Sequence, residues 1–219
     1  MIERDYIMRM IDLLAKVLAR VLFLRKKLEF PQAADELAAA ARNLLGLDPQ
    51  LIRLMSDAQL INLLSSDESL GPSKCYVLGM LLKEEAELSH SQGNEEATIT
   101  QLTKSLSLLL AAFLPSGDPV VPSHRDSIDE VNVLLSGASL PPHINTRLFD
   151  YYRLTGRYDK AEDTLFVLVD QDPEYLRSGL VFYEQLLTKS DDDLLRGNLP
   201  RSEIEEAIHE LKQRLSRVS

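Results

Sequence analysis

The chain has 219 residues, a formal net charge of −10 and a single cysteine, Cys75. That length suits one large domain or two small ones and buries a core without covalent staples. The acidic balance disfavours binding to nucleic-acid backbones, and one cysteine excludes an internal disulfide or a cysteine-built metal site. Leu and Ala dominate, Trp is absent, and Val and Ile are scattered rather than alternating, so an all-α fold is expected.

The first predicted element, MIERDYIMRMIDLLAKVLARVLFLRKK, is a long amphipathic helix. Charges at Arg9, Asp12, Lys16 and Arg20 interrupt it every three or four residues. No apolar run therefore approaches the roughly 18 residues that a membrane span needs. Ile7, Met10, Leu14, Val17, Val21, Leu24 and Leu28 follow heptad spacing, and Ile11, Leu18 and Leu22 widen the face. A face this wide needs a cover. Three covers are open: the following helices, a second copy joined through Ile7, Met10, Leu14, Val17, Val21 and Leu24, or a membrane surface. Residues 1–30 carry a net charge of +3, which leaves −13 for the remainder of a chain at −10. Arg25, Lys26 and Lys27 also suit the negative end of the helix dipole.

Pro31 starts PQAADELAAAARNLL, which Gly46 ends. Asp48-Pro49 opens a short helix, and Ser56 with Gln59 forms a capping box before DAQLINLL. Residues 65–73 read as a loop. A long helix runs from about Ser73 to Gly93 and includes Cys75 in an apolar context, which points to a buried thiol in a reducing, cytoplasmic setting. Asn94 caps the next helix, and Pro115 stops it. Residues 115–125, PSGDPVVPSHR, hold three prolines and a glycine and are the expected boundary between an N-terminal half, 1–114, and a C-terminal half, 126–219. Asp126 is expected to cap IDEVNVLLSG. Helices follow at 139–154, 158–171 and after Asp172-Pro173, then a polar connection or one loose turn at 190–197 and a last helix from Pro200. The total is nine to eleven helices.

Ala33, Ala97 and Ala161 each follow a turn and open a helix at intervals of 64 residues, a spacing that suits stacked helical hairpins, an α-solenoid. The third copy is the clearest. Leu148, Tyr152, Gly156, Tyr158, Ala161, Leu165 and Pro173 resemble the tetratricopeptide-repeat (TPR) pattern of apolar positions, corner glycine, small helix-contact residue and closing proline. Asn145, Phe149 and Leu168 depart from it, so the resemblance implies a degenerate, TPR-like hairpin stack whose helix pair is spread by bulk. The chain as a whole also resembles a family of uncharacterised bacterial helical proteins through MIERDYIMRMIDLLAKVLARVL, AARNLLGLDPQLIRLMSDAQLINLL and TGRYDKAEDTLFVLVDQDP. That resemblance implies a bacterial cytoplasmic protein and supplies no activity.

The search for chemistry returns little. His90, His124, His143 and His209 lack metal-ligand spacing and read as surface or cap residues, so no metal and no cofactor are expected. Ser123-His124-Arg125-Asp126 is consecutive and unsuited to a catalytic triad. Asp191 to Asp193 lacks the alternation of a calcium loop. Glu84-Glu85 and Glu205-Glu206 read as solvated helix faces. The TPR resemblance implies a groove lined by His143, Thr146, Asp150 and Arg153, with Tyr152 beside them in a tyrosine-rich half; Tyr and Arg are common at binding hot spots. The expected function is a non-enzymatic adaptor for a protein or peptide, without nucleic acid or integral membrane contact. A homodimer through the first helix is the alternative, and an enzyme with an unrecognised site is a remote third.

Overall fold

From Cys75 to Lys83 every residue is buried, inside helix α5 (Gly71–Ser91). A helix apolar on all sides must be enclosed by others. The neighbours of α5 are α1 (Ile2–Lys26), α2 (Phe30–Leu45), α4 (Asp57–Leu64), α6 (Glu95–Phe113) and α7 (His124–Leu134). The computed structural model describes residues 2–66, 69–114 and 116–218. Among these residues there are twelve helices and no strand. Two compact units form, Met1–Ser139 and Leu140–Ser219.

The most extensive interface of the first unit joins α5 and α6. It is close because Gly79 has no side chain: a Cβ there would stand 2.9 Å from Leu109, and Ser105 Oγ donates to the Gly79 carbonyl at 2.7 Å. The apolar seam of α1 is covered from within the chain. Met10, Leu14, Val21 and Leu24 are buried where α1 packs on α2 and α5, and Ile7 and Val17 are partly buried. Of the three covers open to this seam, the following helices supply one, because α2 and α5 offer apolar faces of their own. Leu28 is not part of it. The helix ends at Lys26, Leu28 adopts a φ of 61°, and its side chain is 73% exposed.

Most helix ends form as their residues dictate. Gly46 is left-handed at φ 69°, Asp48 Oδ1 accepts from Gln50 N at 2.8 Å, and Ser56 and Gln59 make a reciprocal capping box. Asn94 Oδ1 accepts from Ala97 N at 3.1 Å. Pro115, expected to stop the sixth helix, lies outside the described residues, as do Asp67 and Glu68 of the expected loop.

The short helix α3 (Pro49–Leu54) is fixed from outside. Lys104 Nζ, from α6, donates to the carbonyls of Ile52, Arg53 and Met55 at 3.2, 3.0 and 2.7 Å. A cation at a helix C-terminus meets the orphan carbonyls and the negative dipole end together.

His124 overturns the expectation of a surface or cap residue, for it is wholly buried. Its ring meets Tyr76 and Phe113 edge-on, with centroids 4.8 and 5.8 Å away. Nε2 lies 3.0 Å from the Leu109 carbonyl, and Nδ1 accepts from Val120 N at 3.2 Å. A carbonyl can only accept, so Nε2 carries the proton and both nitrogens are satisfied. This anchor holds the segment after α6 on the first unit. Residues 116–125 therefore stay within that unit, and the division falls at Ser139/Leu140 rather than in the proline-rich stretch. It also sets the start of α7 at His124, ahead of the expected cap, Asp126.

Glu84 and Glu85 are likewise not a solvated face. The Glu84 side chain is 14% exposed, Arg25 Nη1 lies 3.6 Å from its carboxylate, and its Oε2 is buried without a hydrogen-bond partner. Burial raises the pKa of both acids.

The second unit contains α8 (Pro142–Leu154), α9 (Tyr158–Gln171), α10 (Tyr175–Leu187), α11 (Asp191–Arg196) and α12 (Arg201–Val218). Gly156, at φ 73°, turns α8 into α9, where Ala161 is fully buried. Ala33 is also fully buried but Ala97 is half-exposed, so the three alanines do not occupy equivalent sites. Residues 191–196, expected as a polar connection or one loose turn, form the short helix α11: Ser190 Oγ accepts from Asp193 N at 3.2 Å, and Leu194 gives the helix a buried foot. Arg201 ties this end together. It donates to Asp191 Oδ1 at 2.6 Å and to the carbonyls of Leu187 and Lys189 at 2.9 and 2.7 Å.

Candidate binding groove

One turn of α8 after another presents Thr146, Phe149, Asp150 and Arg153, which are three or four residues apart and share a face. On α10 the row Tyr175, Ser178, Phe182 and Gln185 does the same. These rows, with Arg177 and Val181 of α10 and Leu165 and Leu168 of α9, enclose a groove of about 410 Å³. That volume falls within the few hundred Å³ typical of ligand sites. The first unit has hollows of about 350 Å³ beside Lys104, about 280 Å³ between α5, α6 and Leu134, and about 70 Å³ between α2, α3 and α5.

The groove is apolar at its floor and polar along its rims. Phe149 and Phe182 meet edge-on with centroids 5.1 Å apart, which closes the floor between α8 and α10. Thr146 Oγ1 donates to the Pro142 carbonyl at 3.0 Å and so accepts from Tyr175 OH, also at 3.0 Å, across the two helices. Arg153 Nη2 lies 3.2 Å from Asp150 Oδ1. Both side chains are 39% exposed, so this pair contributes little to stability. Arg153 Nε is shielded from solvent without an acceptor among the described residues. Arg177, on the other rim, is exposed. Two guanidinium groups and one carboxylate thus line a groove on a chain whose net charge is −10.

Three of the five residues expected here, Thr146, Asp150 and Arg153, come together in the groove. The other two do not. His143 is exposed in the first turn of α8 and is not among the lining residues. Tyr152 is buried on another face, 5.4 Å from Tyr151, with the Arg157 guanidinium 4.8 Å from its ring centroid. Of the five tyrosines in this half only Tyr175 lines the groove; Tyr151, Tyr152, Tyr158 and Tyr183 are core.

Sequence reasoning missed the whole contribution of α10. Its signal was present: Tyr175, Ser178, Phe182 and Gln185 form a helical row that mixes aromatic and polar residues. The repeat pattern marks Phe149 and Leu168 only as bulk. In the structure both line the groove.

The family model of DUF6483 spans residues 1–216. The chain belongs to DUF6483, a family of unknown function. No curated protein and no solved structure matches the chain. For this family member the groove's chemistry must be read from its own side chains. They offer hydrogen-bond donors, one carboxylate and an apolar floor. The lining hydroxyls are those of Thr146, Tyr175 and Ser178, and the lining carboxylate is that of Asp150.

Proposed function

We propose that this protein is a non-enzymatic adaptor whose second unit is TPR-like and binds a protein or peptide segment in the α8–α10 groove. The observation that carries this reading is the facing of two helical rows. Thr146, Asp150 and Arg153 stand opposite Tyr175, Arg177 and Gln185 over a floor of Phe149, Leu165, Leu168 and Phe182. Aromatic and Arg side chains around an apolar floor are the usual ingredients of a binding hot spot. The left-handed Gly156 corner and the buried Ala161 support the TPR-like hairpin. A bacterial cytoplasmic setting fits the buried lone thiol of Cys75. No helix among the described residues is long and apolar enough to cross a membrane.

Selection of a random peptide library on the intact protein tests the proposal. A shared motif that pairs apolar residues with a carboxylate is expected. It should be lost when Arg153→Ala and Arg177→Ala are combined, and again with Phe149→Ala. The groove assignment fails if no motif emerges, or if the same motif survives in both variants.

A further inference from the structure

Among the described residues, most basic side chains with a carboxylate partner lie away from the outer face of α1. Arg25 pairs with Glu87 at 3.3 Å, Lys83 with Glu130 at 2.6 Å, and Arg201 with Asp191 at 2.6 Å. Lys16, Arg20, Lys26 and Lys27 are exposed and form no salt bridge there. They lie in a stretch, Leu13 to Leu28, that contains no acidic residue. Leu22 and Phe23 stand between them, and Leu13 and Leu28 at either end, each at least 40% exposed. Phe23 sits under two cations, with Lys27 Nζ 4.5 Å and the Arg20 guanidinium 5.6 Å from its ring centroid. Large apolar side chains left in water beside unpaired cations need an explanation that core packing does not supply, since the opposite side of the same helix already serves the core.

We infer that the outer face of α1 from Leu13 onward, with the turn that follows it to Leu28, docks on an anionic lipid surface. The chemistry is complementary at each point. Lys16, Arg20, Lys26 and Lys27 meet lipid phosphates, while Phe23 and Leu28 enter the headgroup region between them. The long stems of the lysines let their ammonium groups stay at the phosphate level. The face is the convex side of a single helix. A fluid lipid surface conforms to such a ridge, whereas an acidic protein partner would need a matching trough. Asp12 and Glu29 flank the stretch and weaken its field, while charges more than a Debye length of about 8 Å away are screened at physiological salt. Docking here is peripheral: the helix lies on the surface and keeps its buried seam in the protein.

The test is co-sedimentation of the full-length protein with vesicles of phosphatidylcholine alone and with phosphatidylglycerol added. Binding is expected only to the second kind and should disappear in high salt. The Arg20→Gln, Lys26→Gln, Lys27→Gln triple variant should bind at least about tenfold more weakly. Phe23→Ser should weaken binding with all charges retained. Every changed side chain is solvent-exposed, so unchanged thermal unfolding shows that the variants are folded. Equal binding to the two vesicle types, or undiminished binding by the triple variant, overturns the inference. So does salt-sensitive self-association without vesicles that the triple variant loses, because a second copy would then be the occupant.

Discussion

The ring of His124 hangs from the carbonyl of Leu109, with Nε2 3.0 Å from the oxygen, and burial lowers its pKa to about 4. The unfolded chain binds a proton at this residue near 6.5, so protonation favours unfolding. Stability is complete above pH 6.5, falls as pH drops towards 4, and loses no more from this group below that. The shift corresponds to about 3 kcal/mol over the window. Urea unfolding of the wild type from pH 7 to pH 4 should show this slope, and the non-titrating His124→Gln variant should lack it.

Lys104 should matter more to stability than an ordinary half-exposed lysine. Its ammonium holds three carbonyls at the end of α3, and burial lowers its pKa. Lys104→Met keeps the stem and removes the donors. We expect a loss of about 1–2 kcal/mol in denaturant unfolding, together with faster amide exchange in residues 49–55.

Gly156 and Gly197 lie close together for different reasons. Gly156 has a φ of 73° and open space around its missing Cβ, so Gly156→Ala should cost about 1 kcal/mol through backbone strain. A Cβ on Gly197 would stand 2.2 Å from Tyr158 Cδ2 and 2.8 Å from the Gly156 carbonyl. Gly197→Ala should therefore cost about 2–3 kcal/mol by overpacking. The order of the two melting temperatures checks this: Gly197→Ala must melt lower.

Tyr183 OH donates to Glu162 Oε1 at 2.6 Å from a wholly buried ring. Burial raises the Glu162 pKa, and the tyrosine's hydrogen bond opposes that rise. Tyr183→Phe removes the opposition, so Glu162 should titrate at still higher pH. An acid with a raised folded pKa binds its proton more readily when folded, so the variant should regain stability as pH falls through the Glu162 titration. Carboxyl-carbon NMR across the titration, beside unfolding at each pH, follows both effects.

Arg153→Ala should change stability by less than about 0.5 kcal/mol, because its pair with Asp150 is solvent-screened. Thermal unfolding checks this, and it makes any binding defect of that variant attributable to the groove.

The helices were legible because their punctuation is local. Asp48, Ser56, Asn94 and Gly156 act on neighbours within a few residues, and each does in the structure what its type prescribes. What depends on distant partners was not legible. His124 gave no sign of burial because its partners, Leu109, Tyr76 and Phe113, are eleven to forty-eight residues away. Glu84 looked like a solvated acid until Arg25 of α1 was placed beside it. The groove was half legible for the same reason. The spacing within α8 showed which residues share a face, but only packing showed that α10 forms the opposite wall and that Tyr152 turns away from it.

The enclosure of α5 turns it into a clock for the first unit. Its amides between Val77 and Leu82 are surrounded by α1, α2, α4, α6 and α7, so no fraying of a single neighbour exposes them all. Their hydrogen–deuterium exchange should proceed only when the whole unit opens. The slowest-exchanging amides there would report the global unfolding free energy of residues 1–139 directly, without denaturant and separately from the second unit.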